Sequence, residues 1–215
     1  MNNEKTELVF ILDRSGSMGG LESDTIGGYN SVLNKQRDLP GQAIVTTVLF
    51  DDKIEFLHDR IPLEGVRPIT NREYFVRGST ALLDAIGMAM QKIINVQRHT
   101  VEEEQAGKVM FVIITDGYEN SSREFDASRI RKMIEYQKEK YHWEFLFIGA
   151  NIDAIKTASD FGISPDRAQN YYSDKQGTNA VFSSVSQAAR SMRKNGSVGA
   201  GWDSDIQCDN KSRRK

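Results

Sequence analysis

Leu8-Val9-Phe10-Ile11-Leu12-Asp13-Arg14-Ser15-Gly16-Ser17-Met18 runs five apolar residues straight into a carboxylate and two hydroxyls. An apolar run of this length, bounded by turn residues, fits a parallel strand buried on both faces. In open α/β sheets, ligands collect outside the carboxyl ends of such strands. Asp13, Ser15 and Ser17 are hard oxygen donors with no His or Cys among them, which suits Mg²⁺ or Mn²⁺ rather than zinc. Gly16 allows a turn tight enough for both serine hydroxyls to face one point.

The flanking sequence supplies the rest of such a sheet. Residues 21–37 carry Leu21, Thr25, Tyr29, Val32 and Leu33 at helical spacing, and Pro40-Gly41 ends the pattern. Residues 43–50 form the next apolar run. Asp51-Asp52 is too short for a crossover, so residues 53–58 fold back as an antiparallel edge strand, and residues 62–77 read as a long surface connection. Gly78-Ser79-Thr80 opens a helix over 81–98. Residues 109–114 are all apolar and end in Thr115-Asp116-Gly117. A helix over 126–141, a strand over 143–148 leading into Asn151, a short helix capped by Asp153, a brief strand over 169–172 and a helix over 178–192 complete the pattern. The alternation specifies a doubly wound, mainly parallel α/β sheet of Rossmann-like type, with one antiparallel edge strand and helices on both faces. From residue 195 the composition turns to Gly, Ser, Asn, Asp, Lys and Arg. Residues 1–194 are therefore expected to form the domain and residues 195–215 a flexible polar tail.

The chain has 215 residues, 39% of them hydrophobic and 27% charged, enough for one core. A net charge of -2 gives no basic field for nucleic acid. Cys208 is the single cysteine, which excludes a disulfide framework and a thiolate metal site. With no membrane span and no apolar leader pattern, a cytoplasmic, monomeric protein is the expectation.

The loops holding Asp13, Ser15 and Ser17, Thr80, and Asp116 are all expected at one edge of the sheet. Two carboxylates and three hydroxyls can therefore converge on a cation that keeps an exchangeable position. Asp13-Arg14-Ser15-Gly16-Ser17, then Thr80, then Asp116-Gly117 resembles the metal-ion-dependent adhesion site of von Willebrand factor A-type (VWA) domains, in residue order, spacing and placement after strands. The resemblance covers roughly residues 7–193 and looks like stand-alone bacterial or phage members. It implies a six-stranded fold and a protein-binding role rather than catalysis. It also implies direct metal contacts by Ser15, Ser17 and Thr80, with Asp13 and Asp116 often acting through water. A partner's Asp or Glu would complete the shell, and Met18, Tyr118, Glu119, Asn120 and Asn151 beside the site are candidate partner contacts.

Three other chemistries fit less well. A Mg²⁺-dependent phosphohydrolase using Asp13 as nucleophile needs an acid where Ser15 stands. Phosphate binding by Gly16, Gly19 and Gly20 has no matching glycine-rich motif, and Asp13 would repel the anion. A serine hydrolase has no Gly-x-Ser-x-Gly elbow, and His58, His99 and His142 read as surface residues. An accessory subunit of a chelatase-like ATPase or of a kinase and phosphatase system remains an alternative resting on analogy.

Overall fold

A computed structural model, which describes residues 1–213, places the run 8–12 at the centre of a six-stranded sheet. The strands are β1 (Asn2–Asp13), β2 (Gln42–Phe50), β3 (Ile54–Pro62), β4 (Ala106–Thr115), β5 (Glu144–Gly149) and β6 (Ala168–Asn170). The helices are α1 (Glu22–Arg37), α2 (Leu82–His99), α3 (Ala127–Tyr141), α4 (Ala154–Asp160), α5 (Lys175–Asn195) and α6 (Ser204–Ser212). Strand order is β3-β2-β1-β4-β5-β6, parallel throughout except for the β2–β3 hairpin. The chain thus winds outward from β1 in both directions, with a topological switch point between β1 and β4.

β1 is apolar without alternation because both its faces are covered. Leu8, Phe10 and Leu12 enter a core with Tyr29, Val32 and Leu33 of α1 and Val181, Val185 and Met192 of α5. Val9 and Ile11 enter the opposite core with Ile86 and Ile93 of α2 and Ile130 and Ile134 of α3. Successive strand side chains point to opposite faces, so a strand between two helical layers has no solvent side. None of the helices among the described residues is long and apolar enough to cross a membrane.

Three expectations need correction. His58 is not a surface residue: it is 7% exposed, with Nδ1 3.0 Å from Thr47 Oγ1 and 3.3 Å from the Tyr29 hydroxyl. A register shift pairs Val48 with Phe56 but Thr47 with His58, leaving Leu57 as the extra residue. Such a bulge changes which face the following side chain takes, and strict alternation does not reveal it. Residues 62–77 are also more than a surface connection, since Leu63, Val66, Ile69 and Tyr74 are buried. Asn30 of α1 ties this segment down, accepting from Ile69 N–H and donating to Ile69 C=O, each at 2.9 Å.

The third correction concerns the C-terminal stretch. Asn195 ends α5 and residues 196–213 dock as α6 and the turns leading into it instead of forming a mobile tail, while Arg214 and Lys215 lie outside the described residues. Val198, Trp202 and Ile206 are at most 4% exposed and join the α1–α5 core. Trp202 Nε1 donates to Asp166 C=O at 2.9 Å. Arg213 pairs with Asp174, the N-cap of α5, and with Asp209 at 2.9 Å. Its guanidinium pulls Asp174 down to about 2. A few isolated apolar residues cannot build a core, but they can complete one that another helix leaves open. Trp202→Ala should therefore cost about 3–5 kcal/mol in urea unfolding; a loss below about 0.5 kcal/mol would return the segment to a tail.

Candidate metal centre

The candidate residues stand on loops at the carboxyl edge of the sheet. The first leaves β1 at Asp13 and makes a 3₁₀ turn over Gly16–Met18. Ser15 N–H folds back to Asp13 Oδ1 at 2.7 Å, closing the turn that brings Ser15 Oγ within 3.1 Å of Ser17 Oγ. The other Asp13 oxygen, Oδ2, accepts from Thr115 Oγ1 at 2.6 Å, joining the ends of the adjacent strands β1 and β4. Ser17 Oγ donates to Asp116 Oδ1. Ser17 Oγ and Thr80 Oγ1 each lie 3.4 Å from the Cβ position of Gly117, so both hydroxyls face the same point beside that glycine. The structure thus brings Asp13, Ser15, Ser17, Thr80 and Asp116 together as the sequence pattern requires.

Asp13, Ser15 and Asp116 are each 1% exposed and Thr80 3%, whereas Ser17 is exposed, so the cluster opens to solvent on the Ser17 side. Burial raises the Asp13 carboxyl above its usual range, opposed by hydrogen bonds from Thr115 and Ser15 and reinforced by the charge of Asp116. Burial also raises Asp116, opposed by hydrogen bonds from Ser17 and Ser173. Among the described residues, neither carboxylate is in an ion pair. Arg14 stands between Asp13 and Ser15 in sequence, yet its guanidinium turns away to Asp51 and Glu55, each at 2.8 Å. Buried carboxylates are ordinarily paired or bound to a metal. The donor set of carboxylates and hydroxyls fits a divalent cation with oxygen preference. No group of three or more His, Cys, Asp and Glu among the described residues is arranged to hold a metal, so a cation here depends on the hydroxyls.

Several residues that hold the loops in place were not anticipated. Ser173, in the loop after β6, sets its Oγ 3.3 Å from Asp116 Oδ2. Its position after the last strand, at the same sheet edge, was the available signal. Asp51 gathers three loops. It accepts from Arg14 Nε, Arg77 Nε and Lys53 N–H, each at 2.8 Å, and its C=O accepts from Ala81 N–H at 2.8 Å. Burial would raise its carboxyl, but the hydrogen bonds from Arg77, Lys53 and Arg14 hold it below the usual range. Tyr74, fully buried, donates to Asp13 C=O at 2.5 Å. Gly78 sits at φ +66, where a Cβ would collide with the Asp52 carboxylate, so the approach to Thr80 requires glycine.

The partner-facing candidates divide. Tyr118 is 63% exposed, and Asn120 and Asn151 are exposed beside the cluster. Asn120 also braces Thr80: its Oδ1 accepts from Thr80 N–H at 2.9 Å and its N–H donates to Thr80 C=O at 3.0 Å. Met18 is 2% exposed, so its side chain is packed inside rather than presented at the surface. The Glu119 carboxylate is turned inward, accepting from the N–H groups of Leu83, Ser121 and Ser122 at 2.7–2.8 Å. It satisfies a free N–H at the start of α2, as acidic side chains commonly do there.

Neither a protein-family model nor a curated protein matches the sequence. Solved structures do. Manganese-loaded TRAP protein of Plasmodium vivax superposes with a TM-score of 0.55 at 20% identity, over 85% of this chain and 73% of that one. Proximal thread matrix protein 1 of the mussel byssus, with a zinc-occupied MIDAS motif, gives 0.58 at 14% identity, over 86% and 46%. A von Willebrand factor type A protein from Catenulispora acidiphila gives 0.57 at 14%, over 86% and 42%. The chain spans less than two-thirds of the length of most of these structures. At these identities the likeness establishes the fold, which is that of a VWA domain.

Removing Asp51 would leave the buried Arg14 guanidinium without its main partner and loosen three loops at once. Asp51→Ala should destabilise the protein by about 3–5 kcal/mol in chemical denaturation; a change under about 1 kcal/mol would show that the loops are held by other contacts.

Proposed function

We propose that this chain, having the VWA fold, is a non-enzymatic protein-binding module whose affinity depends on a divalent cation held by Ser15, Ser17, Thr80, Asp13 and Asp116. The observation that carries this reading is the pair of buried carboxylates, both raised by burial and neither matched by a basic side chain, beside three hydroxyls and one open side. A bound cation would supply the missing positive charge and offer its open position to an oxygen ligand. Oxygen-only donors favour Mg²⁺ or Mn²⁺. Two proteins of the same fold, one manganese-loaded and one with a zinc-occupied MIDAS motif, support a divalent ion here.

Three of the five donors are neutral hydroxyls, and both carboxylates already share their charge with hydrogen bonds from Ser and Thr, so the open position favours a charged oxygen ligand, a carboxylate from Asp or Glu of a partner. Tyr118, Asn120 and Asn151 surround the opening and supply the contacts that choose among carboxylates. A phosphoryl-transfer reading is less supported, because both oxygens of Asp13 already accept hydrogen bonds and none of the three histidines stands beside it.

Mg²⁺ at about a hundred times its Kd should stabilise the fold by roughly 2.7 kcal/mol. For a domain of this size that raises Tm by roughly 5–10 °C. EDTA should reverse the rise and Asp13→Ala should abolish it, as read by differential scanning fluorimetry. Equal Tm values with Mg²⁺, with Mn²⁺ and with EDTA would dismiss the cation. A random peptide display library panned in Mg²⁺ and eluted with EDTA should enrich sequences containing Asp or Glu. Enrichment of peptides without a carboxylate would refute the carboxylate-for-cation reading even if the metal binds.

A further inference from the structure

A cavity of about 520 Å³ opens between α2 and α3 at the amino edge of the sheet. Ala106, the first residue of β4, and Trp143, just before β5, both line it. β4 is ten residues long, which separates the cavity from the candidate metal centre by roughly 30 Å. The volume lies within the range of small-molecule sites, about 300–1,000 Å³.

The chemistry of the cavity is two-sided. Its floor is apolar, formed by Ile94, Met133 and Trp143. Its rim carries two cations, Arg98 and Lys132, while the guanidinium of Arg129, also on the lining, stacks 4.3 Å from the Phe125 ring centroid and lies 3.4 Å from Glu124 C=O. Neither Arg98 nor Lys132 is in an ion pair among the described residues. Of the acids on adjoining segments, Glu102 pairs with the amino group of Met1, itself on the lining, at 3.6 Å, Glu104 with Lys5 at 2.7 Å, and Glu135 with Arg131 at 2.8 Å. Tyr136 and Tyr141 also line the cavity, 51% and 36% exposed, so apolar surface is left in water beside the rim. Scattered apolar residues on a surface need no explanation, but a concave apolar floor under unneutralised cations matches a specific ligand shape.

We infer that this cavity is a second ligand site, for a small anionic amphiphile: a single alkyl or arylalkyl chain carrying a carboxylate. The chain lies against Ile94, Met133 and Trp143, and the carboxylate sits by Arg98 and Lys132. Apolar burial supplies the affinity, and the Arg98 guanidinium and Lys132 ammonium supply charge-assisted hydrogen bonds that select the anion. The site owes nothing to the metal centre.

The probe is 12-bromododecanoate, whose bromine quenches an indole only on contact. Trp143 and Trp202 are the two tryptophans, and Trp202 is packed in the core on the opposite face of the sheet. Saturable quenching should appear in the wild-type protein and vanish in Trp143→Phe. In wild-type protein carrying ¹³C-methyl methionine, the Met133 resonance should shift on titration with dodecanoate while that of buried Met110 stays in place. Decanoate should bind roughly tenfold more weakly than dodecanoate. Arg98→Glu combined with Lys132→Glu should lower affinity about tenfold or more with Tm unchanged, and dodecyltrimethylammonium should not compete. Binding should be equal in Mg²⁺, in EDTA and in Asp13→Ala, so it can fail or succeed apart from the cation reading. Absence of saturable quenching, equal binding of the cationic amphiphile, or full affinity in the double variant would each overturn the proposal.

Discussion

Two carboxylates at the exit of adjacent central strands are taken out of water with no side-chain cation to meet them. Asp13 and Asp116 are each 1% exposed, and both are raised by that burial. Removing an ionised carboxylate from water costs several kcal/mol unless a partner offsets it. The protein provides hydroxyl and amide donors from Thr115, Ser15, Ser17 and Ser173, which soften the cost without neutralising the charge. Donors of this kind orient a carboxylate, and they leave the pair with a deficit of positive charge.

The architecture follows from holding that cluster still. β1 is buried on both faces, so its end cannot swing, and β4 beside it delivers Asp116 at the same height. The loops gain rigidity from one buried acid, Asp51, which receives Arg14, Arg77 and Lys53 and also accepts from the backbone of Ala81 next to Thr80. Arg14 is thereby kept away from Asp13, where it would supply the positive charge itself. On the far side, Glu119 and Asn120 pin the loop after β4 to α2 and to Thr80. Hydrogen bonds between loops do here what packing does within the core.

Much of this was legible in the residues. A five-residue apolar run ending in Asp-x-Ser-x-Ser identified the central strand and its edge, and Thr80 and Asp116 followed because each stands just beyond its own strand or before its own helix. The bulge at Leu57 was not legible, since one extra residue turns His58 to the other face without changing the composition. Docking of Trp202 and Ile206 was hidden for a related reason: the slot they fill is made by α1, α5 and the sheet, and no local pattern records it. Glu119 and Met18 looked like partner contacts because they lie beside the site in sequence, whereas their side chains point inward.

The sequence by itself determined the strand and helix order, the doubly wound class and the five oxygen donors, because periodicity and turn chemistry are local and each donor is tied to the end of an element. Only the tertiary structure decided that the two carboxylates are left without a cationic partner, that Arg14 is diverted to Asp51, and that Arg98 and Lys132 stand without an ion pair, among the described residues, beside an apolar cavity at the other end of the sheet. Those are facts about which charges meet across the fold. Pairing of that kind depends on distances between residues far apart in the chain, which no spacing along it encodes.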